Sequence, residues 1–315
     1  MVEIVAEFTT NHFGHIGLLC RMVDRAAAAG ASAIKMQRKD VGAFYSQEKL
    51  HQTFASPFGN TYLDYRSVFE LQYVDWERFD LACDMHEIPW FATVQDVGSL
   101  YDVMAERQEG VTRQKRLERA QLNRLKLASS NARNGELLAE VAREVPQDWE
   151  IVVSVGGSTL EEIDRVVTTF SEYRKLWLLH CVAEYPCPPN RLRLGNITEL
   201  HKRFACDRVH VGYSGHELGF APTLAAVNLG AEMIERHFCV SRHSFVHHIE
   251  CSLEPGEFAE MVRLANASEE EREAACRELP SAAYASRFGM SELEERFLVQ
   301  QAYGQHYLGG KSVIS

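Results

Sequence analysis

Eight short runs rich in β-branched and aromatic residues, set between longer stretches of helical periodicity, constrain this chain more than any other feature of its sequence. The runs are Glu3–Phe8, Ala33–Gln37, Ile88–Val94, Asn123–Ala128, Glu150–Val155, Leu176–Val182, Val209–Tyr213 and Met233–Phe238. Each is short, which suits strands covered on both faces of a parallel sheet. Between them, apolar residues recur at spacings of three and four over Leu18–Ala29, Trp76–Met85, Glu136–Arg143, Leu160–Phe170, Ile197–Phe204 and Pro222–Leu229. Gly30 and Gly230 stand just before a strand, where a left-handed residue closes a helix. Eight such β–α units predict a single α/β domain, a (β/α)₈ barrel. An open doubly wound sheet that bound a dinucleotide would carry G-x-G-x-x-G after its first strand, and AEFTTNHFGH has no such pattern.

With 315 residues the chain can bury a large core. Its formal charge of -11 opposes the basic face that nucleic-acid binding requires, so no nucleic acid is expected as partner. No apolar run approaches the roughly 18 residues of a membrane span. The opening MVEIVAEF lacks the basic and apolar regions of a signal peptide, so the expected location is the cytoplasm. The eight cysteines include no C-x-x-C pair, and Cys181 and Cys239 lie in apolar runs, which reads as small buried hydrophobes.

Two stretches interrupt the alternation. Residues 38–74 form a long, aromatic-rich connection after the second run, on the face of a barrel where active sites lie, and read as a lid or pocket wall. Residues Ala105 to Gln121 are strongly charged and read as a solvated helix extension or exposed loop. The expected organisation is a barrel over 1–268 and a helical extension over 269–315.

On a barrel, residues at the C-terminal ends of the strands converge on one mouth. Those positions are polar in all eight runs: Glu7, Asn11 and His12; Lys35 and Gln37; Thr93; Lys126 and Ser129; Ser154, Gly156, Gly157 and Ser158; His180, Glu184 and Tyr185; Ser214 and His216; Glu235 and His237. A lysine inside a strand needs an anion or a carboxylate to offset its desolvation. Lys126 with Ser129, and Ser154 through Ser158 on the next run, have the chemistry of an anion cradle. Pairing of the lysines with Glu7 or Glu235 is the alternative. His180 and His210 read as core histidines. His216 and His237 close neighbouring runs, which puts one metal ion within reach of both.

The ordered set AEFTTNHFGH, AAAAGASAIKMQ, FATVQD, LKLASSN, LLHCVAEYPCPP, GYSGHELG, IERHF and SLEPGEF resembles the catalytic barrel of the sialic acid synthases over roughly residues 2–260. Each piece alone is weak, and the order is highly specific. The resemblance implies condensation of phosphoenolpyruvate with the open-chain aldehyde of an aldose, giving a 2-keto-3-deoxy sugar acid and phosphate. It implies Mn²⁺ or Mg²⁺ on His216 and His237. Lys35, Thr93, Lys126, Ser129, Ser154 and Ser214 match phosphoenolpyruvate-side positions, and Glu7, Lys35 and Glu235 match groups at the reacting centre. Asn11, Gln37, Glu184, Tyr185, His247 and His248 fall on the sugar side. A homodimer is also implied. Another metal-assisted lyase or hydrolase, or a non-catalytic barrel subunit, are the rival readings. The chain departs from the family pattern at Gly215, where an aspartate usually precedes the metal histidine, at His247 and His248, and in ending before the antifreeze-like domain many members carry.

Overall fold

In the computed structural model, which describes residues 2–108, 120–296 and 298, eight parallel strands close into a barrel. In chain order the strands are β1 (Glu3–Thr9), β2 (Ala33–Arg38), β3 (Thr53–Ser56), β4 (Gly59–Thr61), β5 (Trp90–Val94), β6 (Gln121–Leu127), β7 (Glu150–Ser154), β8 (Lys175–His180), β9 (Val209–Gly215) and β10 (Met233–His237). The barrel runs β1-β2-β5-β6-β7-β8-β9-β10 and closes from β10 onto β1, while β3 and β4 form a separate antiparallel pair. Every expected barrel strand is present, with ends shifted by two residues at most.

Alternate residues of a strand face the same side, and the inward rows of this barrel change character with height. Val5, Ala33, Phe91, Val152, Leu179 and Met233 pack together inside as an apolar plug. Two residues further along their strands stand Glu7, Lys35, Thr93, Ser154 and Glu235, all buried. Register fixes their levels: Glu7 is opposite both Lys35 and His237, Thr93 is opposite Lys126, and Glu235 is opposite Ser214. The main core lies outside the barrel, between strands and helices, with Phe8, Trp76, Trp90, Phe170, Phe238 and Phe258 among its large members. Gly30 and Gly230 adopt φ of 84° and 97°, as their helix-ending role requires.

The connection after β2 folds into short helices at Val41–Phe44, Gln47–His51 and Tyr62–Ser67 around the β3–β4 pair. Beyond β10, helices Pro255–Ala265 and Glu269–Cys276 pack on Ala221–Asn228. The chain then returns along the mouth, where Ala283 accepts the Leu194 amide (2.8 Å) and Asn196 Oδ1 accepts that of Arg287 (2.8 Å). The charged stretch from Ala105 to Gln121 lies largely outside the described residues, as does the tail after Leu298. Among the described residues no helix is long and apolar enough to cross a membrane.

Candidate active site

The charged layer above the apolar plug is a lattice of alternating sign. Lys126 Nζ donates to both oxygens of Glu235, at 2.9 and 2.8 Å. Lys35 Nζ pairs with Glu7, lies 3.5 Å from Glu235, and donates to Thr93 Oγ1 at 2.7 Å. Ser214 Oγ donates to Glu235 at 3.0 Å, and Glu7 accepts from the Thr9 amide (2.7 Å) and Gln37 Nε2 (2.9 Å). The lysines are therefore paired, which is the alternative the sequence had left open. Their surroundings also form a small cavity of about 60 Å³, lined by Thr93, Ser129, Ser154, Ser214 and the four charged groups.

Environment drives the two carboxylates apart. Burial opposes the charge of Glu235, yet Lys126 and Lys35 overcome it and hold the carboxyl down at about 2. Glu7 is pushed up, first by burial, with Glu235's negative charge adding to it against Lys35. Lys126 is lowered by burial and by Lys35 despite its pairing, whereas Lys35, between two carboxylates, is raised although burial opposes it. Buried carboxylates split in this way mark one group able to exchange a proton and one that stays anionic.

Above this layer stand the two histidines of β9 and β10. Their ring centroids are 5.6 Å apart with planes nearly perpendicular, at 89°. His216 Nδ1 donates to the Val182 carbonyl at 2.7 Å, which fixes the tautomer and leaves the Nε2 lone pair unused by that bond. His237 Nδ1 is buried with no hydrogen-bond partner. Burial holds His216 down at about 4 and holds His237 well below its ordinary value, with the neighbouring rings of His216 and His248 adding to the effect. Both rings are neutral at physiological pH, the form that ligates metals. An orphaned buried ring nitrogen beside a tautomer-fixed imidazole fits a borderline divalent ion. Among the described residues no group of three or more His, Cys, Asp or Glu converges on one point, so water and substrate oxygens would complete its shell. Tyr185 lies between His216 and His248, with centroids at 4.1 and 3.9 Å.

A larger chamber of about 480 Å³ opens over the histidines. Gln37, Ser129, Tyr185, His237, His247 and His248 line it, facing side chains of the 38–74 connection. Two expected sugar-side residues stand apart from both cavities. Asn11 ties the end of β1 to the Phe238 carbonyl (2.8 Å) and Ser252 (3.0 Å), and Glu184 pairs with Arg191 (3.2 Å). The side on which Gly156 and Gly157 would carry a side chain faces their own chain. A Cβ on Gly156 would lie 2.5 Å from Cys181 Sγ, and one on Gly157 would lie 2.7 Å from Met290. His180 is a core histidine, bonded to the Leu192 carbonyl at 2.8 Å, and His210 pairs with Glu232 at 2.7 Å.

Sequence reasoning missed the support beneath His216. Glu217 and Arg236 form a fully buried ion pair at 2.8 Å, in which Glu217 also accepts from Tyr213 (2.8 Å) and Thr223 (2.7 Å). A Cβ on Gly215 would lie 2.6 Å from Glu217, 2.8 Å from Tyr213 and 2.9 Å from Arg236. The position that departs from the family aspartate is thus already filled by a carboxylate reaching back from two residues on. The signal was the charged pair itself, a glutamate and an arginine inside apolar strand ends.

The NeuB family model matches residues 22–275. An N-acetylneuraminate-9-phosphate synthase of Drosophila melanogaster is 31% identical over 260 residues, spanning 81% of this chain and 65% of that protein. A pseudaminic acid synthase of Campylobacter jejuni is 30% identical over 268 residues, spanning 83% and 72%. The crystal structure of the N-acetylneuraminic acid synthetase of Leptospira borgpetersenii, in complex with citrate, is 28% identical with a TM-score of 0.66 and covers 94% of this chain and 89% of that one. The chain spans somewhat under two thirds of the Drosophila relative's length. With a family match running through seven of its eight barrel strands, the chain belongs to the NeuB family.

Proposed function

We propose that the barrel mouth condenses phosphoenolpyruvate with the open-chain aldehyde of an aldose. C3 of phosphoenolpyruvate bonds to the aldehyde carbon, whose oxygen takes up a proton. Water adds at C2 and gives up a proton, and the C2–O bond to phosphate breaks. The products are a 2-keto-3-deoxy sugar acid and inorganic phosphate. A divalent ion on His216 and His237, Mn²⁺ or Mg²⁺, would supply Lewis acidity at the aldehyde oxygen.

The remaining work falls to the chain's own side chains. Lys126 and Lys35, with the hydroxyls of Thr93, Ser129, Ser154 and Ser214, receive the carboxylate and phosphate of phosphoenolpyruvate. Preorganised donors of this kind are worth about 3–4 kcal/mol each in a dry site. Glu235 stays anionic and holds both ammoniums in place, while Glu7, pushed up by burial, is the group able to move a proton. Gln37, Tyr185, His247 and His248 form the sugar side, and Asn11 and Glu184 support that wall from behind. We assign residues 269–315 to an extension of the barrel; Glu294, paired with Arg193 at 2.8 Å and accepting the Ala183 amide at 3.2 Å, supports this at the mouth. A homodimer is part of the reading, and the exposed apolar stripe Val74, Leu81 and Met85 on one helix is a surface suited to it.

The observation that carries the proposal is the four-charge lattice directly below two neutral histidines with an orphaned ring nitrogen. The test is incubation of the protein with Mn²⁺, phosphoenolpyruvate and a panel of aldoses, read as phosphate release and as 2-keto-3-deoxy acid. Silence with every aldose, or phosphate accompanied only by pyruvate, refutes it.

A further inference from the structure

The segment that returns along the mouth after the barrel brings a carboxylate to the back of one of the two metal-side histidines. Glu294 is fully buried, 111 residues along the chain from the amide it meets. Its Oε2 accepts from Arg193 Nη2 (2.8 Å) and from the Ser291 amide (2.8 Å), the second contact being half of a capping box on the short helix Glu292–Glu295. Its Oε1 accepts the Ala183 amide at 3.2 Å. That N–H shares one peptide unit with the Val182 carbonyl, the acceptor for His216 Nδ1–H at 2.7 Å. A trans peptide sends its N–H and C=O to opposite sides. Glu294, the 182–183 peptide and the His216 ring therefore form one hydrogen-bonded file that ends at His216 Nε2.

Replacing a buried ion pair with apolar packing is often neutral for stability, so stability alone does not require a charge here. A carboxylate at the N–H end of a peptide strengthens the bond at its C=O end, because hydrogen bonds in series polarise one another. A stronger acceptor for Nδ1–H holds the imidazole in one tautomer and one orientation, and makes Nε2 a better ligand. The surroundings keep the carboxylate in place. Arg193 also donates to the Gly289 carbonyl at 2.9 Å, and its φ of 52° is a left-handed conformation that a non-glycine residue keeps only where its neighbours hold it. The Gly289 amide in turn donates to the Ser158 carbonyl at 2.9 Å. Leu298 and Met290 pack with Ala183 and Tyr185, and the Cys187 amide donates to the His216 carbonyl at 2.9 Å. The stretch 182–187 is thus held between His216 on one side and the returning segment on the other.

We propose that Glu294 is a positioning residue for His216, acting through the Val182–Ala183 peptide, so that the segment after the barrel completes the metal side of the mouth. This rests on the reading that His216 takes the divalent ion. Glu294 itself touches neither substrate nor ion.

Two measurements separate this inference from the reading on which it rests. The first needs no metal: the Nδ1 proton of His216 in the metal-free protein, followed by NMR and identified by its absence in His216→Asn. In Glu294→Leu it should move upfield, the mark of a weakened bond to Val182. The second is calorimetric binding of Mn²⁺ alone. Glu294→Leu should weaken it by about tenfold, the lower end of what loss of an outer partner of a metal histidine costs. Glu294→Gln, which keeps an acceptor for the Ala183 amide, should lose less. Arg193→Met/Glu294→Leu removes the stranded guanidinium and should regain the urea midpoint, but neither the Mn²⁺ affinity nor the proton shift. The double variant also serves if Glu294→Leu does not fold. A displaced proton in a protein whose wild type binds no Mn²⁺ would uphold the positioning role and defeat the metal reading. An Nδ1 proton that stays in place in the double variant, or wild-type Mn²⁺ affinity there, would overturn the inference.

Discussion

Restoring the family aspartate at position 215 should damage this protein rather than improve it. The backbone there admits no side chain, because a Cβ would meet Glu217, Tyr213 and Arg236 at 2.6, 2.8 and 2.9 Å. None of the three can move aside cheaply. They are at most 1% exposed, and the Glu217 carboxylate is held by Tyr213, Thr223 and Arg236 at 2.7–2.8 Å. Gly215→Ala carries the overpacking cost alone, about 1–3 kcal/mol. Gly215→Asp adds a second buried carboxylate competing for Arg236, and disrupting that pair raises the cost to about 3–5 kcal/mol. Urea unfolding at pH 7 should show a midpoint that falls from wild type to alanine to aspartate with little change in slope. Gly215→Asp/Glu217→Ala should recover part of the loss, since the new carboxylate can take over Arg236. A Gly215→Asp protein within about 0.5 kcal/mol of wild type would refute the steric and electrostatic argument.

The charged lattice makes a related prediction: Glu235→Leu alone strands Lys126 and should cost about 3–5 kcal/mol, whereas Lys126→Met/Glu235→Leu should regain most of that stability with no regain of turnover. Recovery of turnover in the double variant would contradict the role given to the pair. His237→Ala should abolish Mn²⁺ binding in calorimetry while the circular dichroism spectrum stays native, and undiminished binding would remove this histidine from the metal site. Stability should also fall in acid before the carboxylates titrate. His12 and His180 are held at about 4 by burial against an ordinary value of 6.5. Unfolding therefore takes up their protons, so stability is full above pH 6.5 and declines down to about pH 4, by up to about 3 kcal/mol per ring. A urea midpoint that is flat between pH 6.5 and 4.5 would contradict this.

The barrel was legible because strand parity and helical spacing are local signals, and the main-chain register then carries them into space. Once Val5 faces inward so does Glu7, and Ala33 likewise implies Lys35, so the charged layer followed from the runs themselves. The partner of each lysine was not legible, since the pairing of Lys126 with Glu235 depends on side chains meeting across the barrel interior. What packs against the glycine pair at 156 and 157 was not legible, because Cys181, Met290 and Leu298 arrive from distant parts of the chain. The surroundings of Gly215 were hidden for the same reason, with Glu217 and Arg236 visible only in three dimensions. Which residues of the 38–74 connection face the chamber, Tyr45 and Tyr62 among them, was not legible because that stretch has no regular period. Asn11 is polar and close in sequence to the mouth, yet the left-handed turn at Thr9, with φ of 41°, precedes it and the side chain closes onto Phe238 and Ser252.

In the reaction proposed for this mouth, carbon joins to carbon and phosphate is expelled by C–O cleavage. Phosphoenolpyruvate labelled with ¹⁸O in the bridging position, incubated with the protein, Mn²⁺ and an accepted aldose, decides it. The label should leave entirely with inorganic phosphate, and the keto oxygen of the 2-keto-3-deoxy product should come from water. Label retained in the keto product, or phosphate released with pyruvate as the organic product, would contradict it.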